Sequence, residues 1–305
     1  MVQAGAVPAV SVGNLTVGGT GKTPVAAWMA AALLGRGARP AIILRGYGSD
    51  EPQVHALLNP GLRVIADPDR VRAVRAAQEA GCDVAVLDDA FQHRRAARVE
   101  DVVLVSSDRW QEQQRPLPAG PWREPIRSLD RATLLLITRR AASRESARAL
   151  LARLAPCTST ATGAVVALMP GPIMDFRTGA ELPLEGLRGE RVLVVAGVGD
   201  PRSLADQIRQ AGARVALLPF PDHHRYSPGD VSRIRSAATA HDRTICTLKD
   251  AVKLAPVWPR QAEPLWYVSL RCVVEDGEAA VSALLDRLMA ARLSTTLAGA
   301  RRPLT

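Results

Sequence analysis

A glycine-rich stretch that ends in Gly-Lys-Thr has the residue types that bind phosphate. It runs from Gly13 to Pro24 as GNLTVGGTGKTP, with threonine at the position where the strict phosphate-loop pattern has its first glycine. Glycines let backbone N–H groups approach an anion, a lysine reaches the β- and γ-phosphates, and a threonine hydroxyl ligates Mg²⁺. The alternative is a plain glycine turn before a helix. We expect nucleotide contacts from Thr16, Val17, Gly18, Gly19, Thr20, Gly21, Lys22 and Thr23.

The choice of lysine in this stretch supports phosphate binding. The chain has 39 Lys and Arg residues together, but the lysines are only Lys22, Lys249 and Lys253. A compact ammonium fits between phosphate oxygens where a planar guanidinium does not. A sequence that otherwise uses arginine has therefore placed a rare lysine at the position that contacts the phosphates.

Two acidic residues follow a hydrophobic run further along the chain. Asp88 and Asp89 come directly after Asp83–Leu87, which predicts a buried strand. Carboxylates at this point occupy the place of a Walker-B acid and hold Mg²⁺ directly or through water. The alternative is an acidic turn that caps the next segment.

A second acidic pair, Asp50 and Glu51, follows the predicted strand Pro40–Leu44. Since strands of a parallel sheet end at one edge, this pair is expected on the same edge as the phosphate loop. One carboxylate could accept the proton of an attacking hydroxyl and the other could join the metal shell. Taken alone, the pair is more typical of a surface turn than of a site.

Two further segments carry candidate residues. His223 and His224 follow a predicted strand, and a histidine that orients a carboxylate base is the more economical function, beside a solvated loop. A rigid Pro-rich segment, residues 116–125, presents Arg123 and Glu124 either to the same site or simply as part of a stiff connection.

The elements that must position these residues alternate between strands and helices. Val7–Val12 predicts a strand and Val25–Leu34 a helix, with the glycine loop between them. The continued alternation predicts a P-loop NTPase-like α/β fold, a doubly wound and mostly parallel sheet, followed by a second, smaller α/β domain. We place a nucleotide-binding domain at 1–162, a hairpin linker at 163–190, the smaller domain at 191–270, a last helix at 271–292 and an irregular tail at 293–305.

Composition limits the class of protein. The 305 residues are 47% hydrophobic, carry a net charge of +9 and include four scattered cysteines, Cys82, Cys157, Cys246 and Cys272. These cysteines predict buried thiols in a reducing compartment, and no run approaches the roughly 18 apolar residues of a membrane span. We expect a cytosolic protein, and the positive charge favours an anionic partner such as a nucleotide, a nucleic acid or an anionic lipid surface.

Taken together, the motifs resemble the tetraacyldisaccharide 4′-kinase family of lipid A biosynthesis, in that family's order and over nearly the whole chain. The resemblance implies ATP-dependent phosphorylation of the 4′-hydroxyl of a lipid A disaccharide 1-phosphate precursor, at the cytoplasmic face of the inner membrane. It also implies two α/β domains joined by a β-hairpin, with the active site between them. The matching segments are Gly13–Pro24, Arg45–Gly48, Asp50–Pro52, Asp88–His93, Leu117–Glu124, Gly197–Pro201, Phe220–Tyr226 and Thr247–Lys253.

The resemblance also implies roles for individual residues. Lys22 and Thr23 match the nucleotide and Mg²⁺ residues, Asp50 matches the catalytic base, and His223 matches its histidine partner. The remaining matches are Glu51, Asp88 and Asp89, as carboxylates around the metal and phosphates, and Arg123 and Glu124, as a pair lining the site.

The sequence departs from the family pattern at several points. Family members usually carry a membrane-docking segment before the first strand, which this sequence does not contain, and the stretch between Gly48 and Asp50 is shorter than usual. Leucine and alanine replace the usual residues at Leu44, Ala90 and Leu248.

Two other functions remain open at this stage. A switch ATPase of the partition or metallocentre-assembly type has a similar loop, but Val17 stands where its signature lysine belongs. A nucleic-acid-binding protein would also use the positive charge, yet no helix-turn-helix, zinc or RNA-binding signature accompanies it, and we expect no nucleic-acid partner.

Overall fold

A computed structural model of the chain describes residues 7–46, 50–222 and 224–300, with side chains up to residue 294. It divides into two compact units, one formed by the residues up to 168 together with those from 272 onward, the other by residues 169–271. The division falls within two long strands, β7 (Thr162–Asp175) and β12 (Leu265–Asp276).

The first unit is built on a parallel sheet. Its strands lie side by side in the order β3-β2-β4-β1-β5-β6-β7, and all of the pairs from β3 to β7 are parallel. The first six strands are β1 (Ala9–Asn14), β2 (Pro40–Leu44), β3 (Arg63–Ala66), β4 (Val84–Asp88), β5 (Glu100–Ser106) and β6 (Leu134–Arg139). The helices of this unit are α1 (Lys22–Gly35), α2 (Glu51–Leu58), α3 (Arg70–Glu79), α4 (Arg144–Leu154) and α8 (Glu278–Ala300).

The central strands of this sheet are buried throughout. Every residue of β1, β2 and β4 is buried, which explains why these segments are continuous apolar runs with no polar alternation. One hydrophobic cluster packs β1, β2 and β4 against α3, and another packs β5 and β6 against α4. The sheet therefore gives the loop that follows β1 a rigid base.

The second unit has its own parallel strands. They lie in the order β10-β9-β11-β12, where β9 is Arg191–Ala196, β10 is Arg214–Pro219 and β11 is Arg243–Thr247. The second part of β7 pairs antiparallel with the short β8 (Glu181–Leu182). The helices are α5 (Pro201–Gln210), α6 (Pro228–Ala238) and α7 (Leu248–Leu254).

The described elements differ from the sequence expectations in three places. Asp50 and Glu51 begin helix α2 and are not a turn, since Pro52 is well tolerated in a first helical turn. The segment placed as a hairpin linker at 163–190 starts within one long strand, β7, and the last helix, placed at 271–292, begins at Glu278 and continues to Ala300. None of the helices in the described part is long and apolar enough to cross a bilayer.

Candidate functional site

The glycine-rich loop connects the buried end of β1 to the start of α1. Gly21 caps this helix with φ +91°, and Gly18 has φ +100°, a backbone region that side-chain-bearing residues rarely adopt. Within the described residues, no side-chain hydrogen bond caps the helix and its first turn contains no acidic residue. The helix therefore presents its first N–H groups and the positive end of its dipole to the loop, which is the arrangement that binds an anion.

A network of polar side chains fixes the loop from below. Asn14 is fully buried, and its Nδ2 donates to Thr20 Oγ1 at 2.8 Å while Lys22 Nζ donates to its Oδ1 at 3.2 Å. Thr138, on β6, donates its hydroxyl to the Thr20 carbonyl at 2.9 Å, and Gln92 donates to the Asn14 carbonyl at 2.9 Å. Hydrogen bonds from β1, β6 and the turn after β4 thus hold the loop in one shape.

Asp89 joins the loop lysine to an arginine. Its Oδ1 lies 3.6 Å from Lys22 Nζ and accepts a hydrogen bond of 2.8 Å from Arg123 Nη1. Asp89 has φ +51°, which costs backbone energy in a residue with a side chain, although aspartate tolerates it better than most. The structure therefore brings together three of the predicted site residues. Lys22 and Arg123 are the cations, and Asp89 is the carboxylate that both contact.

The Pro-rich segment lies directly against the glycine loop. Val17 N donates to the Pro121 carbonyl at 2.8 Å, and Arg123 N donates to the Leu15 carbonyl at 2.7 Å. Backbone pairing therefore sets the position of Arg123 beside the loop. Sequence reasoning had left open whether this segment was only a stiff connection.

Glu124 is paired with an arginine of its own segment. Arg131 donates to its two carboxylate oxygens at 2.8 and 3.1 Å. Burial raises the pKa of Glu124, but the hydrogen bonds from Arg131 and Ser128 outweigh burial, and the net pKa lies below its ordinary value. Glu124 is therefore ionised near neutral pH, and its predicted contact with nucleotide stays a prediction.

Asp88, the last residue of β4, is buried and bonded to a histidine. Asp88 Oδ2 lies 2.9 Å from Nε2 of His55, a residue of α2 that is completely buried. His55 was not among the residues selected from the sequence. Its only signal is its position four residues after Glu51, which places both on one face once α2 is known to be a helix.

Arg70 is a second residue that sequence reasoning missed. It begins α3, is 2% exposed, and donates from Nη1 to the Asp67 carbonyl at 3.1 Å. Burial lowers the pKa of Arg70 and nearby Arg45 lowers it further, while the carboxylates of Asp89, Asp88 and Glu51 raise it. Arg70 is therefore a buried cation within the electrostatic range of three candidate metal carboxylates.

Asp50 and Glu51 begin α2, the helix that also carries His55. Asp50 is the N-cap residue, with no side-chain capping hydrogen bond in the described structure, and its carbonyl accepts from Val54 N at 2.9 Å. Glu51 is half-buried in the first turn. Both carboxylates are thus carried by an element that contacts Asp88 through His55.

In the second unit, His223 lies outside the described residues. Its neighbour His224 contacts Asp230 Oδ2 through Nε2 at 3.1 Å. Asp250 is completely buried, and accepts from Tyr226 Oη at 3.0 Å and from Gly197 N at 3.1 Å. These bonds tie the segment after β10 to the start of α7.

The residues predicted to hold a metal carry donors that suit a hard cation. The Thr23 hydroxyl and the carboxylates of Asp88, Asp89 and Glu51 would offer oxygen ligands, which Mg²⁺ prefers to nitrogen or sulfur. Among the described residues, no group of three or more His, Cys, Asp or Glu side chains forms a metal cluster by itself. Mg²⁺ usually takes one or two protein carboxylates and completes its shell with water and substrate phosphates.

Comparison with known proteins gives a consistent result. A family model described as Tetraacyldisaccharide-1-P 4'-kinase matches residues 2–61 and 49–290. A tetraacyldisaccharide 4'-kinase of Anaeromyxobacter sp. (strain K) is 38% identical over 95% of this chain and 84% of its own length. The enzyme of the same name from Geobacter sulfurreducens is 37% identical over 81% of this chain and 75% of its own length.

A solved structure is similar over most of the chain. It is the crystal structure of the "apo" form of LpxK from Aquifex aeolicus in complex with ATP, with a TM-score of 0.68 and 25% identity. The match covers 92% of this chain and 88% of that one. The mostly parallel α/β architecture predicted from the sequence is confirmed.

Proposed function

Because this chain belongs to the tetraacyldisaccharide-1-P 4'-kinase family, we propose that it transfers the γ-phosphoryl group of ATP to the 4′-hydroxyl of a lipid A disaccharide 1-phosphate precursor. The observation that carries the proposal is the preorganised glycine loop, with Lys22 held between Asn14 and Asp89 at the open end of α1. This arrangement presents backbone N–H groups, a helix dipole and an ammonium to one anion.

ATP is the phosphoryl donor in this proposal. The relative from Aquifex aeolicus was solved in complex with ATP, and the loop that follows β1 has the residues that a triphosphate needs. Lys22 neutralises charge on the β- and γ-phosphates, and Arg123, 2.8 Å from Asp89, adds a second cation. Since phosphoryl transfer depends mainly on positioning and charge neutralisation, these groups carry most of the catalysis.

Mg²⁺ is the metal that the donor set favours. Thr23, Asp88 and Asp89 would hold it, with Glu51 beside them, and when bound the ion neutralises the phosphates and orients the donor. The buried contact of Asp88 with His55 keeps this carboxylate in one orientation.

The acceptor hydroxyl must lose a proton as it attacks. We assign this proton to Asp50, the half-buried N-cap residue of α2, because it matches the base of the family and stands on the helix that His55 joins to Asp88. His223 is assigned as its partner, and this assignment stays a prediction. Glu51, the next residue of the helix, would add a second carboxylate beside Asp50.

The lipid substrate implies contact with a membrane. We propose that the chain acts as a peripheral protein at the cytoplasmic face of the inner membrane. Its net charge of +9 supports attraction to the substrate's 1-phosphate and to anionic headgroups.

The proposal is tested by measuring ADP release from ATP and Mg²⁺ with and without a lipid A disaccharide 1-phosphate precursor in detergent micelles. We expect release to depend on the lipid and to end when the lipid is consumed. Lipid-independent release accompanied by nucleotide-dependent dimerisation would instead identify a switch ATPase.

A further inference from the structure

We propose that His55 is a positioning residue of the phosphoryl-transfer site, which orients the Asp88 carboxylate and fixes the helix of Asp50 and Glu51 to strand β4. The proposal rests on the proposed function, since it assigns His55 a part in metal-dependent phosphoryl transfer. His55 carries no role in the family resemblance and none in the sequence motifs.

The contact is short, buried and directional. His55 is completely buried, and its Nε2 lies 2.9 Å from Asp88 Oδ2. An ionised carboxylate only accepts hydrogen bonds, so the ring donates from Nε2. Across the described residues, His55 Nδ1 has no hydrogen-bond partner. Burying an imidazole with one nitrogen unbonded is costly, so packing alone does not account for histidine at this position.

The histidine stands on the helix that carries the candidate base. Helix α2 begins at Glu51 with Asp50 as its N-cap, and His55 lies on the same face as Glu51, one turn later. The hydrogen bond to Asp88 therefore joins strand β4, which carries the proposed metal ligand Asp88, to helix α2, which carries the proposed base Asp50.

A second anchor of the same helix provides a comparison. Near the end of α2, Asn59 Nδ2 donates to the carbonyl of Ala27 on α1 at 3.0 Å. This bond also fixes α2, but it reaches a backbone carbonyl in the interior of α1 and no carboxylate. Asn59 therefore helps to hold α2 in place without contacting Asp88, whereas His55 does both. Comparing variants of the two residues separates these effects.

A hydrogen bond to one carboxylate oxygen sets the direction in which the other oxygen faces a metal. Partners of this kind typically change metal affinity or activity 10- to 100-fold when they are removed. We therefore expect His55→Leu to weaken divalent-metal binding about 10-fold and to lower kcat by a similar factor. ATP binding without metal should change less than about twofold, because Lys22 and the loop are untouched.

Glutamine provides the conservative variant. Its amide nitrogen stands as many bonds from the backbone as His55 Nε2, and it donates a hydrogen bond, whereas the amide of asparagine is one bond shorter. We expect His55→Gln to stay within about threefold of wild type, and His55→Asn to resemble His55→Leu.

The experiment measures Mn²⁺ binding in the presence of a non-hydrolysable ATP analogue, from the loss of the free Mn²⁺ EPR signal. Kinase kinetics against Mg²⁺ concentration and thermal unfolding are recorded for wild type, His55→Leu, His55→Gln, His55→Asn and Asn59→Ala. Asn59→Ala should lower Tm while leaving the Mn²⁺ affinity within about twofold of wild type.

The proposal is overturned if His55→Leu and His55→Gln bind Mn²⁺ with the same affinity. It is also overturned if Asn59→Ala lowers the Mn²⁺ affinity as much as His55→Leu does. If His55→Leu fails to fold, the comparison of glutamine with asparagine decides the question in the same way. Absence of lipid-dependent turnover in the wild type would contradict the proposed function, whereas the Mn²⁺ measurements test His55 independently.

Discussion

The Asp89 carboxylate lies 3.6 Å from the ammonium of Lys22, and the same oxygen accepts a 2.8 Å hydrogen bond from Arg123. The Asp89 carboxylate thus binds two cationic side chains at the N-terminus of helix α1. In the proposed function, a phosphate group in the loop would meet both cations, and a metal ion would meet the carboxylate. The relationship makes Asp89 the residue whose replacement separates charge effects from backbone effects.

The stability of Asp89 variants should depend on how well each new residue tolerates the φ of +51° at this position. Asparagine tolerates this region, so Asp89→Asn should keep Tm within about 2 °C while kcat falls at least about 10-fold through loss of the carboxylate. Alanine is strained there, and Asp89→Ala should be about 1 kcal/mol less stable than Asp89→Gly. Calorimetry and steady-state kinetics on the three variants check this. Equal stability of the alanine and glycine variants would contradict the backbone argument.

Gly21→Ala should disrupt the loop. A Cβ at this position would meet the Leu168 side chain, and the alanine would have to adopt φ +91°. We expect the free energy of unfolding to fall by about 1–3 kcal/mol. ATP affinity, measured by calorimetric titration, should fall with stability because Gly21 caps α1. Gly19→Ala is the stability control, since its Cβ would meet no described atom within 4 Å and φ there is not positive. A Gly21→Ala variant as stable as Gly19→Ala would contradict the claim that position 21 requires glycine.

Asp50→Asn should strongly lower turnover without abolishing nucleotide binding. Loss of a general base typically lowers the rate by about 10²–10⁴-fold, and asparagine still allows the helix N-cap. We expect kcat to fall in this range while ATP affinity stays within about twofold. Turnover near the wild-type value, with lipid saturating, would exclude Asp50 as the base.

Asp230 should give the chain an acid-dependent stability. Hydrogen bonds from Ser227 N and Oγ, together with the contact to His224, lower the pKa of Asp230 to about 2 from its ordinary value of 3.8. A lowered folded-state pKa means that its stabilisation is complete above about pH 4 and is lost as the pH falls toward 2. Melting curves from pH 5 to pH 2 should therefore drop more steeply for wild type than for Asp230→Asn. Parallel curves would mean that the carboxylate does not contribute, and the effect is expected to be small because Asp230 is solvent-screened.

Much of the site is readable from local sequence. The order of apolar run, glycine loop, Gly-Lys-Thr and helix predicts the loop after β1, and the acids at the end of β4 are predicted by the same logic of strand ends. These features depend on residues within about a dozen positions of one another, where backbone geometry limits the outcome. The comparisons confirm the family and the fold that these motifs indicated.

The missed residues depend on contacts between distant segments. His55 becomes significant only when α2 packs against β4, and a Glu-Pro start was interpreted as a turn although proline is common in a first helical turn. Arg70 was one arginine among many, and only its burial distinguishes it. Asn14 stood within the motif, but its hydrogen bonds to Thr20 and Lys22 follow from the folded loop.

The central claim is that Lys22 in the glycine loop promotes phosphoryl transfer from ATP to the lipid. It is tested most directly by mass spectrometry and ³¹P NMR of the lipid after incubation with ATP and Mg²⁺, comparing wild type with Lys22→Arg and with Lys253→Arg as a matched control in α7. We predict that wild type and Lys253→Arg add one phosphoryl group at the 4′ position, and that Lys22→Arg is slower by about 100-fold or more. Phosphorylation by Lys22→Arg at the wild-type rate, or ATP hydrolysis by wild type with the lipid unchanged, would contradict the claim.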